Sequence, residues 1–154
     1  MIELNLPVYD YKIKKDGQRS QIFDKIRKKF VVLTPEEWVR QHFINFLSIE
    51  KNYPLSLMKI EKGLKYNNQI KRTDIVIYNN MGLPSVIVEC KAPEVKINAA
   101  VFEQIARYNM QLKVDILIVT NGMDHYCCYI DYTTNSFTFI KEIPGYNENF
   151  KLGI

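Results

Sequence analysis

Pro84-Ser85-Val86-Ile87-Val88-Glu89-Cys90-Lys91 is the stretch on which the fold turns. Its centre, Val86-Ile87-Val88, is apolar and β-branched at every position, which fits a strand covered on both faces better than one with a wet side. Pro93 closes it. The run ends in a carboxylate and an ammonium two positions apart, Glu89 and Lys91, and a strand projects such a pair from one face. Burying those charges is costly unless they are paired or hold a cation.

Upstream, residues 74–78 (Asp74-Ile75-Val76-Ile77-Tyr78) form a second β-branched strand, closed by the turn residues Asn79-Asn80-Met81-Gly82. If Tyr78 pairs with Ser85, the antiparallel register sets Asp74 opposite Glu89, about 5 Å away, where two carboxylates can share one cation. A slip of one residue would turn the two to opposite faces. Downstream, residues 98–112 read as a helix with Val101, Ile105, Tyr108 and Leu112 on one side. Residues 114–120 are another buried strand, Asn121-Gly122 a tight hairpin turn, residues 126–131 its partner and residues 137–140 an edge strand.

On the N-terminal side, Thr34-Pro35-Glu36-Glu37 supplies a capping threonine, a proline at the first helical position and a capping-box glutamate. Leu33 and Trp38 occupy the positions of a hydrophobic staple, and Val39, Phe43, Phe46 and Leu47 carry one apolar stripe to about residue 50. Pro54 breaks this helix, and residues 55–61 alternate loosely as a strand. Tyr9 to Lys14 and Gln21 to Phe23 flank Asp16-Gly17 as a β-hairpin or a polar loop. The order is helix, three strands, helix, then two or three strands. That order gives an α/β fold with a mixed β-sheet flanked by helices.

The chain has 154 residues, 47% of them hydrophobic and 25% charged, which suits one domain with a real core. The expected division is a basic N-terminal extension over 1–32 and a core over 33–140. No window reaches the apolar length of a membrane span, and the opening residues do not read as a signal peptide, so a cytoplasmic protein away from membranes is expected. Three cysteines, two of them adjacent at Cys127-Cys128, do not make a disulfide framework. His42 and His125 lack zinc-site spacing with any cysteine. Between Lys12 and Lys29 eight basic residues face only Asp16 and Asp24; a phosphate-rich partner and a solvated face both account for this.

Two carboxylates with an open side suit Mg²⁺, with Mn²⁺ as a substitute: both take oxygen ligands and accept phosphate oxygens. Such an ion polarises a scissile phosphate and lowers the pKa of a bound water. Lys91 could orient that water or stabilise developing negative charge. The backbone carbonyl of Cys90 is a further candidate ligand, its side chain turned to the core. The alternative for Asp74, Glu89 and Lys91 is an ion-pair cluster at a sheet edge, since a bare D…ExK pattern is a weak motif.

Three stretches in order carry a resemblance: Arg72-Thr73-Asp74-Ile75-Val76, Val88-Glu89-Cys90-Lys91-Ala92-Pro93 and Gln104-Ile105-Ala106-Arg107-Tyr108-Asn109. Together they resemble the N-terminal nuclease domain of type I restriction enzyme R subunits, in the PD-(D/E)xK nuclease superfamily. Residues 23–29, residues 33–41 and Thr120-Asn121-Gly122 also look like that family. The resemblance implies a restriction-endonuclease-like fold with Asp74, Glu89 and Lys91 as metal-binding and catalytic residues. It also implies a QxxxY motif at Gln104 and Tyr108, associated with nuclease function and DNA contact. Glu37 would be the helix glutamate that many members add to the metal site, although the capping box accounts for it equally. Glu61 is a weaker candidate of the same kind. Arg72, with Lys71, and Lys28 and Lys29 in the basic run are candidates for phosphate contact. Thr73 stands where the motif usually has proline. No G-x-x-x-x-G-K-[ST] phosphate loop is present, so cleavage coupled to ATP-driven translocation is not expected of this chain itself.

The functional expectation is a Mg²⁺-dependent DNA endonuclease, or the nuclease module of a restriction-modification system. Its partners would be DNA and methylase or specificity subunits or a separate helicase motor, with a homodimer supplying two cuts. The competing expectation is a non-catalytic nucleic-acid-binding or assembly module that keeps the fold; RNA as the substrate is a third. His42 and His125 as acid–base groups are discounted for want of partners, and Cys127 or Cys128 as a nucleophile because a strand with apolar neighbours does not activate a thiol.

Overall fold

A parallel pair of buried strands organises the chain. The computed structural model describes residues 1–60, 64–66, 69–71, 74–110 and 112–147, and the side chains of 64–66, 69–71 and 108 lie outside that description. Three strands open it: β1 (Ile13–Asp16), β2 (Arg19–Asp24) and β3 (Lys29–Val32), an antiparallel sheet of their own. Asp16 pairs with Arg19 across Gly17, whose φ of 66° is the left-handed conformation that glycine adopts without a Cβ clash. The Asp16-Gly17 segment is therefore a hairpin.

Helix α1 (Pro35–Asn45) starts as its sequence dictates: Thr34 Oγ1 accepts the Glu37 amide at 3.0 Å, with proline in the first turn. It runs on as a π-helical turn over Phe46–Glu50. Beyond Pro54 the expected strand is reduced to a 3₁₀ turn, Leu55–Leu57, and a two-residue strand β4 (Met58–Lys59). A short hairpin, β5 (Leu64–Tyr66) with β6 (Gln69–Lys71), follows where no strand was expected.

The main sheet adds β7 (Ile75–Tyr78), β8 (Pro84–Cys90), β9 (Ile116–Thr120), β10 (His125–Asp131) and β11 (Ser136–Ile140). Its order is β11-β10-β9-β8-β7-β4, antiparallel throughout except for β8 and β9. Helix α2 (Ala99–Met110) makes the crossover between those two parallel strands. Alternation along the strands feeds two cores. Ile75, Ile77, Val86 and Val88 pack with Val39, Phe43 and Leu47 of α1 on one face. Val76, Ile87, Leu117 and Val119 pack with Phe102 and Ala106 of α2 on the other. Val86, Ile87 and Val88 are all fully buried, as a strand between two layers requires.

Helix α2 is turned from the expected phase. Its buried positions are Phe102, Ala106 and Asn109, with Ile105 at the margin, rather than a stripe led by Val101. Phe102 sets the rotation, its ring lying 4.8 Å from that of Phe139 and 6.1 Å from that of Tyr126. The β9–β10 connection is a four-residue turn, 121–124, in which Asn121 Oδ1 accepts the amides of Met123 and Asp124 at 2.9 and 2.7 Å. Gly122 lies beneath the N-terminal segment: a Cβ there would meet Leu4 at 2.8 Å, and its carbonyl accepts the Asn5 amide at 2.8 Å. No helix among the described residues is long and apolar enough to cross a membrane.

Candidate active site

Strand β7 pairs with β8 as Ile75↔Val88, Val76↔Ile87 and Ile77↔Val86. One step beyond the last pair, this register sets Asp74 across from Glu89. At the other end the expected Tyr78–Ser85 pair is replaced by Tyr78↔Pro84, with an irregularity between Ile77 and Tyr78. Ser85 is thus absorbed by a bulge, and the pairs from Ile77 to Ile75 keep the expected register.

Asp74 is held on both oxygens. Oδ2 accepts the Cys90 amide at 2.6 Å, tying β7 to β8, and Oδ1 accepts Arg40 Nη2 of α1 at 2.6 Å. Arg40 has a side chain only 9% exposed and also donates to Glu37 Oε1 at 2.7 Å and Glu36 Oε2 at 3.0 Å. Burial works against its charge, but the carboxylates of Asp74 and Glu37 outweigh burial and raise the guanidinium pKa. Glu37 Oε1 accepts Arg27 Nη2 as well, at 2.8 Å, and Oε2 accepts Gln41 Nε2 at 3.0 Å. The Glu37 side chain is therefore occupied by two arginines and an amide, while Glu36, half-exposed beside it, adds to the negative field at Glu89.

Glu89 has the opposite character. Burial, then the charge of Asp74, pushes its carboxyl up to about 8, against the opposing pull of Lys91 and of a hydrogen bond from the Asn109 side chain. Asn109 is fully buried, its Nδ2 donates to the Ile105 carbonyl at 2.9 Å, and its Oδ1 has no hydrogen-bond partner among the described residues. Lys91 anchors its backbone to the Thr120 carbonyl at 2.8 Å, so β9 fixes the position from which its ammonium acts. Cys90 turns its thiol into the core on the α1 side, where burial pushes the pKa well up.

The remaining candidates separate. Gln104 is exposed on α2, away from the buried face, and the Tyr108 side chain lies outside the described residues. Arg72 and Glu61 also lie outside them, as does the Lys71 side chain. Lys28 and Lys29 are exposed at the β2–β3 turn. His42 is packed between the rings of Trp38 and Tyr11 at 4.3 and 4.8 Å, and His125 bonds Thr120 Oγ1 at 2.7 Å. The thiols of Cys127 and Cys128 are pushed up to about 12 by burial, and all three cysteines are free.

Three residues at the site escaped the sequence reading: Arg40, Glu36 and Asn109. Glu36 sits in the cap motif one place before the glutamate chosen there. Arg40 is one turn from Glu36 and Glu37, a spacing that pairs charges on a helix. Asn109 closes the Gln104–Asn109 run, where it falls on the buried stripe once Phe102 sets the phase.

As a donor set, the opposed carboxylates of Asp74 and Glu89 fit a hard divalent cation in ligand chemistry. Burial and the charge of Asp74 raise Glu89, and Asn109 Oδ1 has no hydrogen-bond partner among the described residues. Arg40 on Asp74 works in the other direction, and no group of three or more His, Cys, Asp or Glu side chains among the described residues could hold a metal ion.

Comparison with known proteins places the chain. A family model described as the N terminus of the type I restriction enzyme R protein matches residues 35–144. The chain belongs to that family. Among solved structures it resembles a fragment assigned to the HsdR subunit of a type I restriction enzyme from Vibrio vulnificus YJ016, with 21% sequence identity and a TM-score of 0.53. The match covers 78% of this chain and 25% of that one, so the chain spans about a quarter of the neighbour's length. No curated protein matches the chain.

Proposed function

We propose that this chain is the nuclease module of a restriction system and hydrolyses phosphodiester bonds in DNA with the help of Mg²⁺, for which Mn²⁺ substitutes. One observation supports the reading: the β7–β8 register, carried one step past Ile75↔Val88, sets position 74 across from Glu89, whose carboxyl burial and the charge of Asp74 push up to about 8. Asp74 and Glu89 would hold the cation, helped by the Cys90 carbonyl. When bound, the ion supplies Lewis-acid polarisation of the phosphodiester and a more acidic water. Lys91, fixed through Thr120, stabilises the negative charge that develops on the phosphate. Asn109 would favour the charged form of Glu89. Gln104, Tyr108 and Arg72 are assigned to contacts with DNA beside the cut. Methylase or specificity subunits and a separate motor are the partners that this reading implies, and a homodimer would place two such sites on a duplex.

A plasmid-nicking assay with Mg²⁺ tests it. Asp74→Ala, Glu89→Ala and Lys91→Ala should each slow nicking by about 10²-fold or more, the cost of losing one preorganised charge-stabilising group. Chelation with EDTA should stop the wild type. Cutting that persists in all three variants sinks the proposal.

A second reading, a non-catalytic nucleic-acid-binding or assembly module, is favoured by one observation: Arg40 already occupies an oxygen of Asp74. It predicts salt-sensitive DNA binding with no turnover in Mg²⁺ or Mn²⁺.

A further inference from the structure

The turn between β2 and β3 is built with more care than a solvated basic loop needs. Asp24 is fully buried, and its Oδ1 accepts the amides of Ile26 at 2.7 Å and Arg27 at 3.0 Å. Its Oδ2 accepts Arg27 Nε. These bonds from Arg27 and Ile26 hold the Asp24 carboxyl below its usual range although burial opposes them. The carbonyl of Asp24 closes the turn by accepting the Lys28 amide at 2.8 Å, with Lys28 at a φ of 56°. That is the left-handed region, which suits glycine and costs any other residue steric strain. Lys28 shares this conformation with Asn52, Lys113 and Asn135, and here it presents the side chain at the tip of the turn where a glycine would sit at ease.

Facing this turn is a groove of about 810 Å³ between it and the edge of the main sheet at β4. Lys25, Arg27, Lys28 and Lys59 line it, over a floor that includes Leu55 and Met58. None of the described residues that line it is acidic. The charge of Arg27 is answered by Asp24 and Glu37, and Lys25 donates Nζ to Asn45 Oδ1 at 2.8 Å, so the positive character of the groove comes from three lysines on two separate elements above an apolar floor. The groove is also wired to the site. Arg27 shares Glu37 Oε1 with Arg40, and Arg40 holds Asp74. On the sheet side Lys59 pairs with Val76, two residues along β7 from Asp74.

We propose that this groove seats the phosphate backbone of duplex DNA, with Lys25, Lys28 and Lys59 as its phosphate contacts. Arg27, locked by Asp24 and Glu37, fixes the wall and so sets the backbone's position relative to Asp74. The choice of DNA rests on the nuclease reading; the groove's affinity for a polyphosphate backbone rests on its own charge and shape.

The test is fluorescence anisotropy with a short mixed-sequence duplex in EDTA, where nothing is cut, over about 50 to 200 mM salt. Each phosphate neutralised contributes about −0.9 to the slope of log K against log salt concentration. The triple variant Lys25→Ala/Lys28→Ala/Lys59→Ala should make the slope shallower by about 3 and weaken binding at least tenfold at the low-salt end. The control variant Lys12→Ala/Lys14→Ala/Lys15→Ala removes the same charge from β1 and its flank, and should keep most of the wild-type slope. Lys28→Gly should weaken binding without lowering the melting temperature, since the backbone there favours glycine. Equal losses in the two triple variants would reduce the effect to bulk charge and overturn the proposal. So would a wild type that does not bind duplex DNA, or one that binds duplex RNA more tightly. A chain that binds through the groove but never cuts leaves this inference standing and removes only the nuclease reading. Cutting with an unchanged salt slope in the groove variant does the reverse.

Discussion

The surroundings of Asp74 and of Glu89 are the instructive contrast in this molecule. Around Asp74 every charge is answered: Arg40 bridges Asp74, Glu37 and Glu36, Arg27 bridges Glu37 and Asp24, and the Cys90 amide completes Asp74. Around Glu89 the charges are not answered, since Lys91 and Asn109 together fail to offset burial and the neighbouring carboxylate. One acid is built into the scaffold, and the other is the one that the proposed cation would complete. A site that binds a cation needs both, because a fixed ligand gives geometry and an under-compensated one gives affinity.

The contrast breaks most severely at Arg40. Arg40→Ala leaves the buried Glu37 and the mostly buried Asp74 without their shared cation, and the loss of one partner from a buried pair costs about 3–5 kcal/mol. Urea denaturation should show that loss, and a value under about 1 kcal/mol would mean that the network contributes no more than a surface pair. Next in size is Asp74→Asn. The amide cannot accept from both Arg40 and Cys90 as the carboxylate does, so a loss of about 1–3 kcal/mol is expected.

Glu89→Gln should have the smallest effect and the opposite sign. In the unfolded chain a glutamate titrates near 4.5, whereas in the fold Glu89 is pushed up to about 8. Between those two values the folded state holds the extra proton, so stability falls as pH rises through the window. Glutamine cannot ionise. The variant should therefore match the wild type near pH 4.5 and exceed it by roughly 1 kcal/mol at pH 8, water access discounting the full shift. Melting temperatures across that pH range decide it, and parallel curves for the two proteins would show that Glu89 titrates normally.

The legible parts of this chain were those where local pattern and physical constraint coincide. Val86-Ile87-Val88 could only be a two-faced strand, and Thr34-Pro35 could only begin a helix. The pairing of Ile75, Val76 and Ile77 with Val88, Ile87 and Val86 followed from counting across one hairpin, even though the bulge at Ser85 lay hidden in that count. Less was visible where partners come from far away. Arg40 reaches Asp74 across 34 positions, and no periodicity encodes such a meeting. The phase of α2 failed for another reason. Val101, Phe102, Ile105 and Ala106 make the helix apolar on more than one side, so spacing alone cannot choose the stripe; the rings of Tyr126, Phe137 and Phe139 choose it. The β5–β6 hairpin was missed because its strands are three residues each and carry mixed polarity.

Gly122 gives the fold a mechanical property. Leu4 lies against it, the Asn5 amide binds its carbonyl, and the Asn5 carbonyl bonds His125 Nε2 at 3.0 Å. Tension on the first residues would be delivered to the β9–β10 turn, and Thr120, the residue before that turn's start at Asn121, carries the bond to the Lys91 amide. The amino-terminal strap, the β9–β10 turn and the Lys91 backbone are thus joined by successive hydrogen bonds, so the strap fastens the turn from which the Lys91 position is held.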